Sequence, residues 1–171
     1  MAKSSGEKII STNSSAYANF FIDEVVEAGL VLQGTEAKSL RLQAPNIKDA
    51  FVEVRDKNGK LEAWLLNAHI APYSHGNIWN HEPTRARKLL LHSHQILRLH
   101  GALTQKGLTI VPLKMYFKNG RAKIEIGLGR GKKKYDKRQD IKARDAERDM
   151  AIARSAKNVS RRSGRGNDYD D

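Results

Sequence analysis

A mainly β fold is predicted for this 171-residue chain: a small closed barrel with short helices embedded in it, followed by a basic C-terminal tail. Three observations carry that expectation. Two hairpin signatures stand in the middle of the chain. The helical segments never alternate with strands in a βαβ pattern. The last quarter is rich in Lys and Arg and nearly free of apolar residues.

In chain order, residues 1–15 are polar and Ser-rich and read as a mobile arm. Phe20 to Leu32 reads as a strand pair bent at Gly29. Thr35 to Leu42 follows Gly34 as a short helix with Thr35 at its N-cap. Val52, Val54, Leu61 and Trp64 flank the turn sequence Asp56-Lys57-Asn58-Gly59, so Ala50 to Asn67 predicts a hairpin. Ser93 to Gln105 carries Ile96, Leu99 and Leu103 at helical spacing and stops at Gly107. A second hairpin pairs Leu108–Phe117 with Arg121–Leu128 through Asn119-Gly120, which supplies the left-handed turn that most residues avoid. In its last strand Lys123 and Glu125 alternate with Ile124, Ile126 and Leu128, giving one wet and one buried face.

From Asp136 to Lys157 good helix formers return, with Ala143, Ala146, Met150 and Ala153 on one face. That stripe is too thin to dock a helix, so the tail is expected to be disordered when free and helical when held. Gly164 to Asp171 is expected to stay disordered. The divisions are therefore 1–15 arm, 16–130 barrel and 131–171 tail.

The chain carries a net charge of +12. Between Arg130 and Arg165 fourteen Lys/Arg face five acids, so this stretch alone holds nine of those twelve charges. Such a block condenses onto a polyanion by displacing counterions, which makes nucleic acid the first partner to consider. No run approaches the roughly 18 apolar residues of a membrane span, and the N-terminus lacks a signal-peptide core, so a cytoplasmic protein with no membrane partner is expected. The absence of cysteine excludes disulfides, zinc–thiolate sites and a thiol nucleophile. Size and charge together favour the five-stranded oligonucleotide-binding type among small barrels.

Chemistry of other kinds finds little support. His69, His75 and His81 recur every six residues, with His92 and His94 after them, a spacing that matches no common metal pattern. Gly127, Gly129 and Gly131 lie on a strand end without the helix a phosphate loop requires. No metal, no cofactor and no catalytic residue is therefore assigned. The basic residues are more coherent: Arg85, Arg87 and Lys88 precede Leu89-Leu90-Leu91, and Lys38 and Arg41 sit about one helical turn apart. With Tyr17, Tyr73, Trp79 and Tyr135 as candidate stacking aromatics, they suit an RNA surface.

Five ordered blocks then resemble one family. Gly34-Thr35-Glu36-Ala37-Lys38-Ser39-Leu40-Arg41, Leu66-Asn67-Ala68-His69-Ile70 and Thr84-Arg85-Ala86-Arg87-Lys88-Leu89-Leu90-Leu91-His92 are similar to segments of small protein B, the SsrA-binding protein family. So are Val111 to Lys123 and Arg130 to Arg138, and the resemblance runs from about Asn13 to Arg154. It implies an oligonucleotide-binding-type barrel and a tail unstructured in the free protein. The implied partners are the tRNA-like domain of transfer-messenger RNA, the small-subunit ribosomal RNA of stalled ribosomes, and elongation factor Tu carried with the charged RNA. The implied activity is trans-translation, in which the protein catalyses no bond-making.

Carried over position by position, the resemblance implies RNA contacts at Asn13, Glu27, Lys38, Leu90, His92, Lys123 and Gly131. The neighbouring cations Arg41, Arg85, Arg87, Lys88, Arg121, Lys132 and Lys133 extend that set. Tyr135, Asp136, Lys137 and Arg138 would reach the decoding centre, with the rest of the tail helical in the empty messenger channel. Ser14 and Ser15 depart from the family pattern, which has a basic pair there. Two other classes remain open: a ribosomal or assembly protein binding ribosomal RNA, and an RNA-processing enzyme using the histidines.

Overall fold

In the computed structural model, which describes residues 6–163, seven antiparallel strands and four α-helices follow one another along the chain. The order is β1 (Lys8–Thr12), α1 (Ser14–Asn19), β2 (Phe20–Leu30), α2 (Gly34–Leu42), β3 (Phe51–Lys57), β4 (Lys60–Leu66), β5 (Arg87–Leu90), α3 (Ser93–Lys106), β6 (Thr109–Lys118), β7 (Arg121–Gly131) and α4 (Lys134–Ser163). A single 3-10 turn, Asn77–Trp79, lies in the long loop before β5. The chain divides into two units, residues 1–131 and 132–171.

The first unit is a closed barrel. Pairings run from β6 to β3, β4, β5, β2 and β7 and back to β6, so six strands complete a ring, one more than expected. The β6–β3 link is a single register pair, Val52 with Ile110. Beyond it the same edge of β6 is free, and β1 occupies it, with Thr12 opposite Lys114 and Lys8 opposite Phe117. Residues 8–12 are thus a strand rather than part of a mobile arm, because they cover backbone groups that β3 leaves unpaired. Residues 1–5 lie outside the described residues.

Both hairpins form at their Asn-Gly turns. Asn58 and Gly59 have φ of 56° and 77°, and Asn119 and Gly120 have 51° and 74°, the positive pair that matches strand twist. The expected strand pair at Phe20–Leu32 is corrected to one eleven-residue strand. Its partners are distant: β7 along most of its length, and β5 at Gly29 and Leu30. A bulge between Ile22 and Glu24 bends β2 where it meets Gly127 and Gly129. A Cβ on Gly129 would come within 2.2 Å of the Phe21 carbonyl oxygen, so this glycine serves close strand approach.

Inside the ring, Val26, Ala28 and Leu30 of β2 meet Val52, Leu65, Leu89, Ile110, Met115, Ile124 and Ile126. Leu40 of α2 and Leu99 of α3 pack into this core. Each such aliphatic chain contributes about 1.5–3 kcal/mol when fully buried. A satellite cluster of Ala16, Val111 and Leu113 packs with Phe20 and Ile22 under α1. The α2 N-cap is Gln33 rather than Thr35: its backbone N–H donates to Glu36 Oε2 at 2.8 Å. α3 ends at Gly107 with φ of 58°, where the sequence places its stop.

The second unit contains α4, longer at both ends than the helix expected over Asp136–Lys157. Its start is satisfied locally, since Asp136 Oδ2 accepts from the Lys133 backbone N–H at 3.1 Å. Lys132 pairs with Asp140 at 2.5 Å, and Gln139 donates to the Tyr135 hydroxyl at 2.8 Å. Along 141–155 every residue is exposed. The expectation for Gly164–Asp171 falls outside the described residues.

Candidate nucleic-acid interface

The groove begins where β2 and β5 meet. Gly29 faces Leu90 in register, and a Cβ on Gly29 would lie 3.1 Å from the Leu90 Cβ, so the leucine side chain lies across the glycine. Leu90 ends β5 with its side chain 56% exposed, an apolar surface set among charges. Two depressions of about 790 Å³ and 340 Å³ share Gly29, Leu90 and Lys123 and so form one continuous groove.

The larger depression is lined by Glu27, Lys60, Glu62, Lys88, His92 and Leu97 besides these three. The smaller adds Arg41, Phe117 and Arg121. Five cations therefore face two carboxylates along the groove, with an exposed leucine and an imidazole between them. Cations neutralise phosphates, whereas Leu90 and the His92 ring offer flat or apolar surface to bases and riboses. His92 opens α3 and stacks on His94, centroids 5.7 Å apart and planes 11° from parallel.

Several cations are held in place by acids. Lys88 Nζ lies 2.5 Å from Glu62 Oε1. Arg41 sits 5.9 Å over the Phe117 ring. Glu27 accepts from the Tyr116 hydroxyl and from Lys118 Nζ at 3.2 Å through Oε2, and its Oε1 lies 3.5 Å from Lys123 Nζ. The Tyr116 hydrogen bond, with the two lysines, holds the Glu27 carboxyl below the ordinary carboxylate range despite partial desolvation. Glu27 therefore stays ionised and arranges the cations around it.

Of the fourteen residues expected to touch RNA, Glu27, Arg41, Lys88, Leu90, His92, Arg121 and Lys123 converge here. Lys38 stands apart, its ammonium 5.7 Å from the Tyr73 ring. Gly131 ends β7 opposite Phe20, exposed and with open space where a Cβ would stand. Lys132 and Lys133 belong to the second unit, as do Tyr135, Asp136, Lys137 and Arg138 in the first turns of α4.

Three of the residues expected to touch RNA also carry structural roles. Asn13 is 2% exposed, and its side chain donates to the carbonyls of Ile47 and Pro112 while accepting from Ser15 and the Ala16 N–H. Its amide makes four hydrogen bonds within the fold and pins the start of α1. Arg87 is fully buried, donating to the Ala68, Arg85 and Pro83 carbonyls and to Glu36 Oε1 at 3.0 Å. Arg85 makes a two-pronged pair with the same carboxylate, at 2.8 Å and 2.5 Å. Burial works to raise the Glu36 pKa, but the Arg85 hydrogen bond, the Gln33 N–H and the Arg87 charge outweigh it and hold the carboxyl low. This triad clamps the long loop before β5 onto α2.

His69 makes a backbone bridge with Asn46, His75 contacts Ser74 and Tyr73, and among the described residues no group of three or more His, Cys, Asp or Glu could hold a metal ion. Among the described residues, no helix is long and apolar enough to cross a membrane. Tyr116, Lys118, Lys60 and Glu62 were not singled out from the sequence. A bulge in β6 between Pro112 and Lys114 shifts the alternation that would have shown Tyr116 beside Glu27.

The SmpB protein family model matches residues 10–157. The SsrA-binding protein of Pelobacter propionicus is 54% identical over 153 residues, covering 90% of this chain and 98% of its own. That of Bacillus cytotoxicus is also 54% identical over 153 residues, covering 90% and 96%. A solved chain described under "tmRNA-SmpB: a journey to the center of the bacterial ribosome" superposes with a TM-score of 0.59 at 44% identity, covering 77% of this chain and 93% of the other.

Proposed function

The chain belongs to the SmpB protein family, and from that premise we propose that it binds transfer-messenger RNA and serves trans-translation on bacterial ribosomes. The observation that carries this reading is the groove in which Glu27, Arg41, Lys88, Leu90, His92, Arg121 and Lys123 come together on one face of the barrel. Its shape suits an irregular folded RNA, here the tRNA-like domain, gripped through phosphates by the cations and through bases or riboses by Leu90 and His92. No bond is made or broken by the protein. It acts in the cytoplasm, where its RNA and the ribosome are found.

The second unit supplies a different function. α4 opens with Tyr135, Asp136, Lys137 and Arg138 and presents charged side chains around its surface. A basic helix of this kind fits the anionic messenger channel of the small subunit only when messenger is absent, since an occupied channel excludes it sterically. The first turn would lie in the decoding centre against small-subunit ribosomal RNA. Elongation factor Tu would accompany the charged RNA.

The test is binding of the tRNA-like domain by the full chain and by variants at moderate salt. Leu90→Asp and Lys123→Gln should each weaken binding by about tenfold or more, while Lys48→Gln, outside the groove, should leave it unchanged. Equal loss at Lys48 and Lys123 would mean that charge alone, and not this face, binds the RNA.

A further inference from the structure

A buried tyrosine supports Glu27 of the groove. Tyr116 of β6 is 1% exposed, yet it is ringed by charge: Lys114 Nζ stands 5.2 Å from its ring centroid, and Lys123 is opposite it in register on β7. Its hydroxyl donates to Glu27 Oε2. Lys118, two residues on along the strand, reaches the same oxygen at 3.2 Å and also meets Glu7 Oε1 at 3.3 Å. Lys114 is held separately by Glu125 at 2.8 Å.

We propose that Tyr116 is a positioning residue of the RNA-binding face: its hydroxyl fixes the Glu27 carboxylate, which holds Lys118 and Lys123 as an ordered pair of phosphate-binding cations. Three physical points support it. A tyrosine whose ring is fully packed has no rotamer freedom left, so its hydroxyl is a donor at a fixed place. A glutamate on an exposed strand position has such freedom unless one oxygen is tied, and Oε2 is the oxygen Tyr116 ties. Lysine stems lose considerable entropy when a ligand must order them, and cations ordered beforehand bind with less of that loss. The phenol is kept protonated, first by burial and then by the carboxylate it serves, so the donor persists at any physiological pH. Lys118 thereby joins Lys123 as a contact for RNA.

This proposal rests on the RNA-binding reading, and the experiment separates the two. The Kd for the tRNA-like domain is measured against salt for wild type, Tyr116→Phe, Glu27→Gln and the double variant, with thermal unfolding of each. Tyr116→Phe should unfold near wild-type temperature, bind about tenfold more weakly, and lower the log–log salt slope by roughly one unit. In the Glu27→Gln background it should add little, because the carboxylate it serves is gone. Wild-type affinity and slope in Tyr116→Phe would overturn the proposal, as would the same loss with and without Glu27. Lys118→Gln gives an independent check by lowering the slope without touching the buried ring; an unchanged slope there would also overturn it. A wild-type protein with no preference for the tRNA-like domain over an unrelated hairpin would instead refute the RNA reading.

Discussion

Glu36 shows how an acid in a basic protein can govern where the basic residues go. It is 6% exposed and receives Arg85, Arg87 and the Gln33 N–H, so two of the cations that a charge-based reading assigns to RNA are spent inside the fold. Glu36→Gln should destabilise the barrel by about 3–5 kcal/mol, because Arg87 would remain buried without its counter-charge. The acid dependence has a definite sign. The Glu36 pKa is lowered below its ordinary value of 4.5, so its stabilising share is complete above that pH and is lost as pH falls through the lower folded value. Urea unfolding followed from pH 7 down to pH 3 should show a drop in wild type that is shallower in Glu36→Gln. Nothing in the sequence separates Arg87 from Lys88. Only β5, which turns one inward and the other toward Glu62, does so. Asn13 hid a structural role for a related reason: a polar residue in a family motif can pin the fold, as its 2% exposure and its hydrogen bonds to the Ile47 and Pro112 carbonyls show.

The elements that declare themselves are those with strong local chemistry. Both hairpins were legible because Asn-Gly supplies the positive φ their turns need, and α3 because its apolar spacing runs to Gly107. β1 and β5 were not, since five and four residues with Lys or Arg among them carry too little pattern, and each exists because a free strand edge accepts it. Gly129 tests the closeness of β2 and β7: Gly129→Ala should cost about 1–3 kcal/mol in thermal unfolding, since the neighbour it meets is backbone and cannot give way. α4 tests placed charge against plain charge. Exchanging Asp136 and Lys137 keeps the net charge but removes the acceptor that caps the Lys133 N–H. RNA affinity should be unchanged and tagging of stalled chains strongly reduced in a purified translation system, as expected if this first turn must be placed. Normal tagging by the exchanged variant would show that charge alone suffices.

At the scale of the whole molecule, the proposed function assigns the two units different tasks. Among the described residues, the core and the groove are built from the barrel unit, and those from Lys132 onward contribute to neither. A chain ending at Gly131 should therefore keep cooperative unfolding and lose tagging. Binding by the full chain should weaken steeply with salt, with a log–log slope of about −3 or steeper if four or more phosphates are neutralised. The central claim, that the barrel face recognises transfer-messenger RNA, is tested most directly by the RNA that co-purifies from the native cell. Full-length protein, residues 1–131 and the Leu90→Asp variant of that fragment are recovered and their RNA sequenced. Transfer-messenger RNA should dominate with the first two and be depleted with the third. Ribosomal RNA in its place with residues 1–131, or undiminished transfer-messenger RNA with Leu90→Asp, would contradict the account.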